Sequence, residues 1–181
     1  MLKFRRIIED DLEKLMKWRA DDFITRHMHT DPVLDMEKQR EWYKKISNDS
    51  TCQHWIAVLN GVDIGTVNMY DINESHKRCF WGLYIADPDA RGKRIARQME
   101  SNIFDYGFFV MGLNKISAEM IEFNKLIVFA SAADIEGVFK GYNYKEGNFY
   151  DVYRIAILKD KWAATRHLYE YESVYIEAPG T

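Results

Sequence analysis

The chain has 181 residues, 47% hydrophobic and 14% aromatic, enough for one domain with a continuous buried core. Its formal net charge of −3 provides no basic footprint of the kind a nucleic-acid partner requires. The start Met1-Leu2-Lys3-Phe4-Arg5-Arg6 lacks the apolar core of a signal peptide and no apolar run could span a bilayer, so a cytoplasmic protein with no membrane partner is expected.

No linker, repeat or low-complexity segment divides the chain. Leu2 to Ile8 alternates as a first strand, and Glu9, Asp10 and Asp11 give an acidic start to a helix running to about Arg19. Asp35 is placed to cap a second helix, Met36 to about Asn48, with Met36, Trp42, Tyr43 and Ile46 facing inward. His54 to Leu59 and Val62 to Ile72 flank Asn60-Gly61, a strong hairpin signal. Cys52 and Cys79 stand alone without metal-ligand spacing and read as reduced thiols, so no metal is expected. Cys79 to Ala86 is the next strand; a basic loop follows, then a helix with Ile95, Met99, Ile103 and Tyr106 on its core face. Leu113 to Ile121 reads as a strand, and Ile135 to Lys140 as part of a helix ended by Gly141. Tyr142 to Lys145 and Phe149 to Leu158 form a final hairpin around Glu146-Gly147-Asn148. The order predicts an α+β domain on one twisted sheet.

The basic loop carries the strongest chemical signal. A helix start presents unpaired N–H groups and the positive end of its dipole, so it can hold a phosphate. Gly92 lets an anion approach the backbone, Ala96 keeps the first turn slim, and Arg91, Lys93 and Arg94 add charge. The bland alternative is a strand-to-helix junction with a basic cap. The run Arg91-Gly92-Lys93-Arg94-Ile95-Ala96 resembles the acyl-CoA pyrophosphate loop of the GNAT N-acetyltransferases, Arg/Gln-x-x-Gly-x-Gly/Ala, with Arg94 at the usual middle glycine.

The resemblance extends over residues 1 to about 160, through Trp18-Arg19, His27-Met28-His29-Thr30, Glu41-Trp42-Tyr43, Phe80 to Ile85 and Tyr150-Asp151-Val152-Tyr153 to Trp162. In combination these look most like the branch that acetylates the 4-amino group of a UDP-linked dideoxy sugar on the route to pseudaminic acid. The resemblance implies a mixed sheet of about seven strands flanked by about four helices, a domain over 1–162, and acetyl-CoA as co-substrate. Residues 163–181 would pack on the domain or on a second subunit, as in a homodimer. Alternatives are a polyamine or ribosomal-protein-like N-terminal acetyltransferase and, in another class, a sensor that binds acyl-CoA without catalysis. Asn124 matches a cofactor-binding position of the family, but the tyrosine expected seven residues later is replaced by Ser131, or by Gly137 if the count runs back from Gly141. Residues Phe129 to Ile135 look inserted.

Acetyl transfer from a thioester to an amine needs a neutral amine, a polarised carbonyl and a place for charge to go. Backbone N–H groups of Leu83, Tyr84 and Ile85, at a strand end that splays from its neighbour, are the candidate oxyanion donors, with Ile95 and Ala96 at the phosphates. Candidate bases are Glu119, Glu122, His29, His54 and Asp71; Glu119 and Glu122 would face opposite ways on a strand, and Glu122 is the assigned catalytic carboxylate. Ser131 and Tyr142 are the candidates for protonating the leaving thiolate. Trp81 and Tyr84 could stack on a sugar or base, although core packing is the simpler role for Trp81. Arg26 and His29, in the basic and aromatic loop Ile24 to His29, suit the diphosphate of a nucleotide amino sugar.

Overall fold

A computed structural model describes residues 1–32, 34–92, 94–124 and 131–178. Strand β1, Leu2–Arg6, buries Leu2 and Phe4 on alternate positions. A 3-10 turn leads into helix α1, Leu12–Ala20, whose Leu12 and Leu15 are buried. A single turn, α2 (Asp22–Thr25), starts on the Asp21 carboxylate, which accepts from the Phe23 amide. Helix α3, Met36–Ser47, is capped as expected by Asp35, which accepts from the amides of Glu37 and Lys38. Strands β2 (Gln53–Leu59) and β3 (Val62–Asn73) join at Asn60-Gly61, where both residues hold positive φ, 52° and 85°.

Strand β4, Arg78–Ile85, precedes the loop to helix α4, Ile95–Asp105, which continues as a π turn over Tyr106–Val110. Strands β5 (Lys115–Ile121), β6 (Asp134–Lys145) and β7 (Asn148–Leu158) follow, then helix α5 (Lys159–Thr165) and a two-residue strand β8, Tyr175–Ile176. The sheet runs β6-β7-β5-β4-β3-β2-β1-β8. It has eight strands where about seven were expected, because the tail adds β8 alongside β1. The architecture is α+β, one mixed sheet with helices on both faces, as expected. Among the described residues no helix is long and apolar enough to cross a membrane.

Helix α4 and its π turn bury Met99, Ile103, Phe104 and Phe108 against Trp81, Met69, Ile116 and Ile157 on one sheet face. On the other face α1 and α3 cover Ile56 and Val58. The tail is tied to the α4 side: the Asp105 carboxylate accepts from Trp162 Nε1 at 2.8 Å, Arg166 at 2.7 Å and the Tyr171 hydroxyl at 2.7 Å. Trp55 Nε1 donates to the Glu177 carbonyl at 2.8 Å.

The expected helix over Ile135 to Lys140 is instead the first half of β6. Its apolar residues Ile135, Val138 and Phe139 fall at helical spacing, but bulges between Ile135 and Gly137 and between Phe139 and Asn143 reset the strand's two-residue alternation. The resulting phase shift imitates a 3.6-residue period in the sequence. Gly137, Val138 and Phe139 pair with Arg154, Tyr153 and Val152 of β7.

Candidate active site

β4 and β5 run parallel, and they pair only from Arg78↔Lys115 to Phe80↔Ser117. Beyond that point β4 stays on β3 as far as Gly65↔Ile85 while β5 stays on β7, so a notch opens between them. Gly65 draws β4 towards β3: a Cβ there would lie 2.1 Å from the Tyr84 carbonyl oxygen, so only glycine permits the approach. Among the described residues the notch edge of β4 from Trp81 to Ile85 therefore has no strand partner, which leaves backbone N–H groups available to a developing oxyanion.

The loop after β4 leads to the N-terminus of α4 at the mouth of this notch. Asp87 accepts from the Asp89 amide and starts a short 3-10 turn. Arg91 turns back, its Nε and Nη2 donating to the carbonyls of Ile85 (3.2 Å) and Ala86 (2.9 Å), and its guanidinium lies 3.9 Å from the Phe23 ring centroid. Gly92 holds φ 74° with open space where a side chain would project. Arg94, also in the left-handed region at φ 58°, caps α4 without a side-chain bond, so no side chain of the cap occupies the first-turn N–H groups. Its guanidinium pairs with Glu170 at 2.7 Å, both side chains 80% or more exposed. Lys93 lies outside the described residues.

On the opposite face of the notch, Glu119 of β5 accepts from Arg154 Nε at 3.0 Å and Nη2 at 2.5 Å. The Arg154 guanidinium lies over Phe80, which stacks on Tyr70. Burial, reinforced by Glu119 and Asp71, pushes the Tyr70 phenol up to about 12. Burial likewise pushes the Tyr84 phenol up to about 12, against a hydrogen bond with Thr66 that works the other way. Both phenols are protonated at neutral pH. His29 Nε2 lies 3.2 Å from the Glu119 carbonyl oxygen. A cleft of about 380 Å³ opens nearby, lined by Arg26, His27, Phe123, Lys145, Glu146 and Tyr150.

The other predicted residues fall in different places. Trp81 is 4% exposed and meets Phe104 edge-on at 5.5 Å in the α4-side core. Tyr142 is 63% exposed on β6, the outermost strand, beside Phe139. The Ser131 hydroxyl donates to Glu100 at 2.5 Å; burial pushes the Glu100 carboxyl up, opposed by Ser131 and Arg97. Ile95 is buried and Ala96 exposed on the first turn of α4. Glu122, Phe123 and Asn124 form a 3-10 turn after β5, and the Asn124 amide reaches the His27 carbonyl at 3.5 Å. His54 is held neutral under Trp42, burial and Arg6 pushing it down to about 4. The notch thus gathers Leu83, Tyr84, Ile85, Arg91 and Gly92 with the segment carrying Arg26 and His29. Sequence reasoning missed Phe23, Tyr70, Asn143, Lys145 and Arg154; Arg91 over Phe23, residues 25–31 at Asn143 and Lys145, and Glu119 at Arg154 all lie far away along the chain and leave no local pattern.

Residues 1–128 match the family described as acetyltransferase (GNAT) domain. Over 171 residues, 90% of this chain and 95% of the relative, the protein is 26% identical to an uncharacterized N-acetyltransferase, p20, of Bacillus licheniformis. It is 26% identical over 128 residues, 69% of this chain and 78% of the relative, to acetyltransferase PseH of Campylobacter jejuni. Its fold is similar to the crystal structure of spermidine N-acetyltransferase from Vibrio cholerae in complex with CoA and spermine, with a TM-score of 0.83, 23% identity, and coverage of 90% of this chain and 98% of that one.

Proposed function

The chain belongs to the GNAT acetyltransferase family, and we propose that this acetyl-CoA-dependent N-acetyltransferase takes a polyamine-type primary amine as its acceptor. The observation that carries the acceptor is the charge of the chain segment that includes and flanks residues 23–29. Residues 21–35, which contain the segment over the notch, include Asp21, Asp22, Asp31 and Asp35 against the single Arg26. Asp21, Asp22 and Asp31 are exposed, and the buried Lys145 ammonium already faces Asp31 at 3.0 Å. A segment of that sign attracts a polycation and repels a diphosphate. The full-length likeness in fold to the spermidine enzyme supports the same reading. The basic character of Ile24 to His29 taken alone favours a nucleotide amino sugar; the wider segment reverses the balance. That sugar is the second reading, favoured by Arg26 beside the aromatic pair Phe123 and Tyr150 and by the likeness to PseH.

The residues fit acetyl-CoA: the open backbone at Gly92, the first turn of α4 without a side-chain cap, and the unpaired edge of β4 would hold its diphosphate and extended arm. Acetyl-CoA supplies an acetyl thioester, whose C–S bond breaks as the amine nitrogen forms the new C–N bond. The β4 edge at Leu83 to Ile85 donates to the carbonyl oxygen as negative charge grows on it. The ammonium proton leaves to a carboxylate at the end of β5. We assign this role to Glu122, in the 3-10 turn that follows β5. The departing thiolate takes its proton from solvent at the open end of the notch.

An acceptor assay with Asp22→Asn/Asp31→Asn tests the charge argument. The spermidine KM should rise about tenfold, for roughly 1.4 kcal/mol of lost attraction, while the acetyl-CoA KM holds. An unchanged spermidine KM contradicts the polyamine reading.

A further inference from the structure

Of the twelve residues of β6, two are buried, and both are polar: Asn143 at 8% and Lys145 at 5% exposure. Neither bonds within the sheet's apolar layers. Lys145 Nζ donates to the carbonyls of Thr25 (2.7 Å) and Met28 (3.2 Å) and faces Asp31. Asn143 Nδ2 donates to the His29 carbonyl at 3.2 Å and lies 3.5 Å from His29 Nδ1. Because that carbonyl accepts only from an N–H, the amide orientation is fixed, and Nδ1 is the acceptor of the imidazole. His29 is therefore the Nε2–H tautomer, and its N–H donates to the Glu119 carbonyl.

These bonds converge on one short segment. Its first end, Phe23, lies under the guanidinium of Arg91, which is itself bound to the end of β4. The other end, His29, is bound to Glu119 of β5, past the last β4–β5 pair. Residues 23–29 thus cross from one lip of the notch to the other.

We propose that Lys145 and Asn143 are positioning residues that pin residues 23–29 as a strap over the notch and so set how the acceptor amine enters. The proposal rests on the acetyltransferase reading above for its kinetic consequence, but its structural content stands apart from it. A buried ammonium suits this task because it can satisfy two carbonyls and a carboxylate at once. Exposed Arg26 on the strap, and the exposed Asp22 and Asp31 that flank it, then lie on the acceptor side, while the cofactor loop lies on the other side of Arg91. Losing the pins should loosen the acceptor side and leave acetyl-CoA binding intact.

The test compares the wild type with Lys145→Met, Lys145→Arg and Asn143→Leu. Limited trypsin digestion reports on the strap through cleavage after Arg26, within the pinned segment. Lys145→Met should accelerate that cleavage about tenfold and raise the acceptor KM by a similar factor. Its acetyl-CoA KM should stay within about twofold. Lys145→Arg, which keeps a charged donor, should restore most of both effects, and Asn143→Leu should reproduce them more weakly. Unchanged cleavage after Arg26 in both Lys145→Met and Asn143→Leu overturns the strap. Equal rises in acceptor and acetyl-CoA KM overturn its restriction to the acceptor side. If the wild type acetylates no amine, the functional reading falls, and faster cleavage in Lys145→Met still supports the pinning while unchanged cleavage refutes it.

Discussion

Asp11 shows how one carboxylate can organise the first third of the chain. Burial pushes its carboxyl up, but hydrogen bonds from Arg5, Lys14 and the Ile8 amide outweigh that and hold it well below the usual carboxylate range. Arg5 and Lys14 both also bind Asp63, which links β1, α1 and β3. A carboxyl depressed in the folded state contributes stability above its unfolded pKa, and that contribution is lost as pH falls through the folded value. Asp11→Asn should cost about 2 kcal/mol near neutral pH, less than a fully buried pair because Arg5 and Lys14 keep Asp63. Denaturant melts on both proteins should converge as pH falls below about 4. His54 acts in a higher window. Its folded pKa, pushed down to about 4 by burial and Arg6, lies under the unfolded value near 6.5, so its contribution is complete above that and declines as pH falls towards 4. His54→Phe should remove a slope approaching 1.4 kcal/mol per pH unit from the melts in that interval, about one proton's worth. An unchanged slope would mean that the imidazole is hydrated.

At the scale of elements, the loop into α4 makes the sharpest claim. Gly92→Val places a branched side chain at φ 74°, in the space left open for an anion. The acetyl-CoA KM should rise about tenfold or more, with a stability loss of about 1–2 kcal/mol from strain. Arg94→Ala separates two roles: its exposed pair with Glu170 contributes under about 1 kcal/mol, so unchanged stability with a raised acetyl-CoA KM assigns the guanidinium to the diphosphate. The elements themselves were largely legible where chemistry is local. Asp35 announced α3, Asn60-Gly61 the first hairpin and Glu146-Gly147 the last, because caps and turns are specified within a few residues. The first half of β6 reads as a helix in sequence because two bulges give Ile135, Val138 and Phe139 a helical spacing.

Across the whole molecule, what the sequence could not convey is pairing at a distance. The point where β4 leaves β5, the clasp of β6 side chains on residues 25–29, and the seating of the tail on Asp105 all join residues more than thirty-five positions apart. None carries a local motif. The basic loop was readable because a phosphate-binding helix start is built from neighbours, whereas the acceptor depended on which charges the fold brings around the notch. The core should tolerate little: Phe104, fully buried between Trp81, Phe108 and Trp162, should cost about 3–5 kcal/mol on replacement by alanine, read by thermal or denaturant unfolding.

The most direct measurement is the rate of CoA release by the wild-type protein at saturating acetyl-CoA, with spermidine and with a UDP-4-amino-4,6-dideoxy sugar as acceptors in parallel. The acidic surroundings of the strap predict a higher kcat/KM for spermidine, falling as salt screens the attraction. Faster turnover of the sugar nucleotide would contradict the proposed acceptor, and release of CoA with neither amine would contradict the proposal that a primary amine is acetylated in this notch.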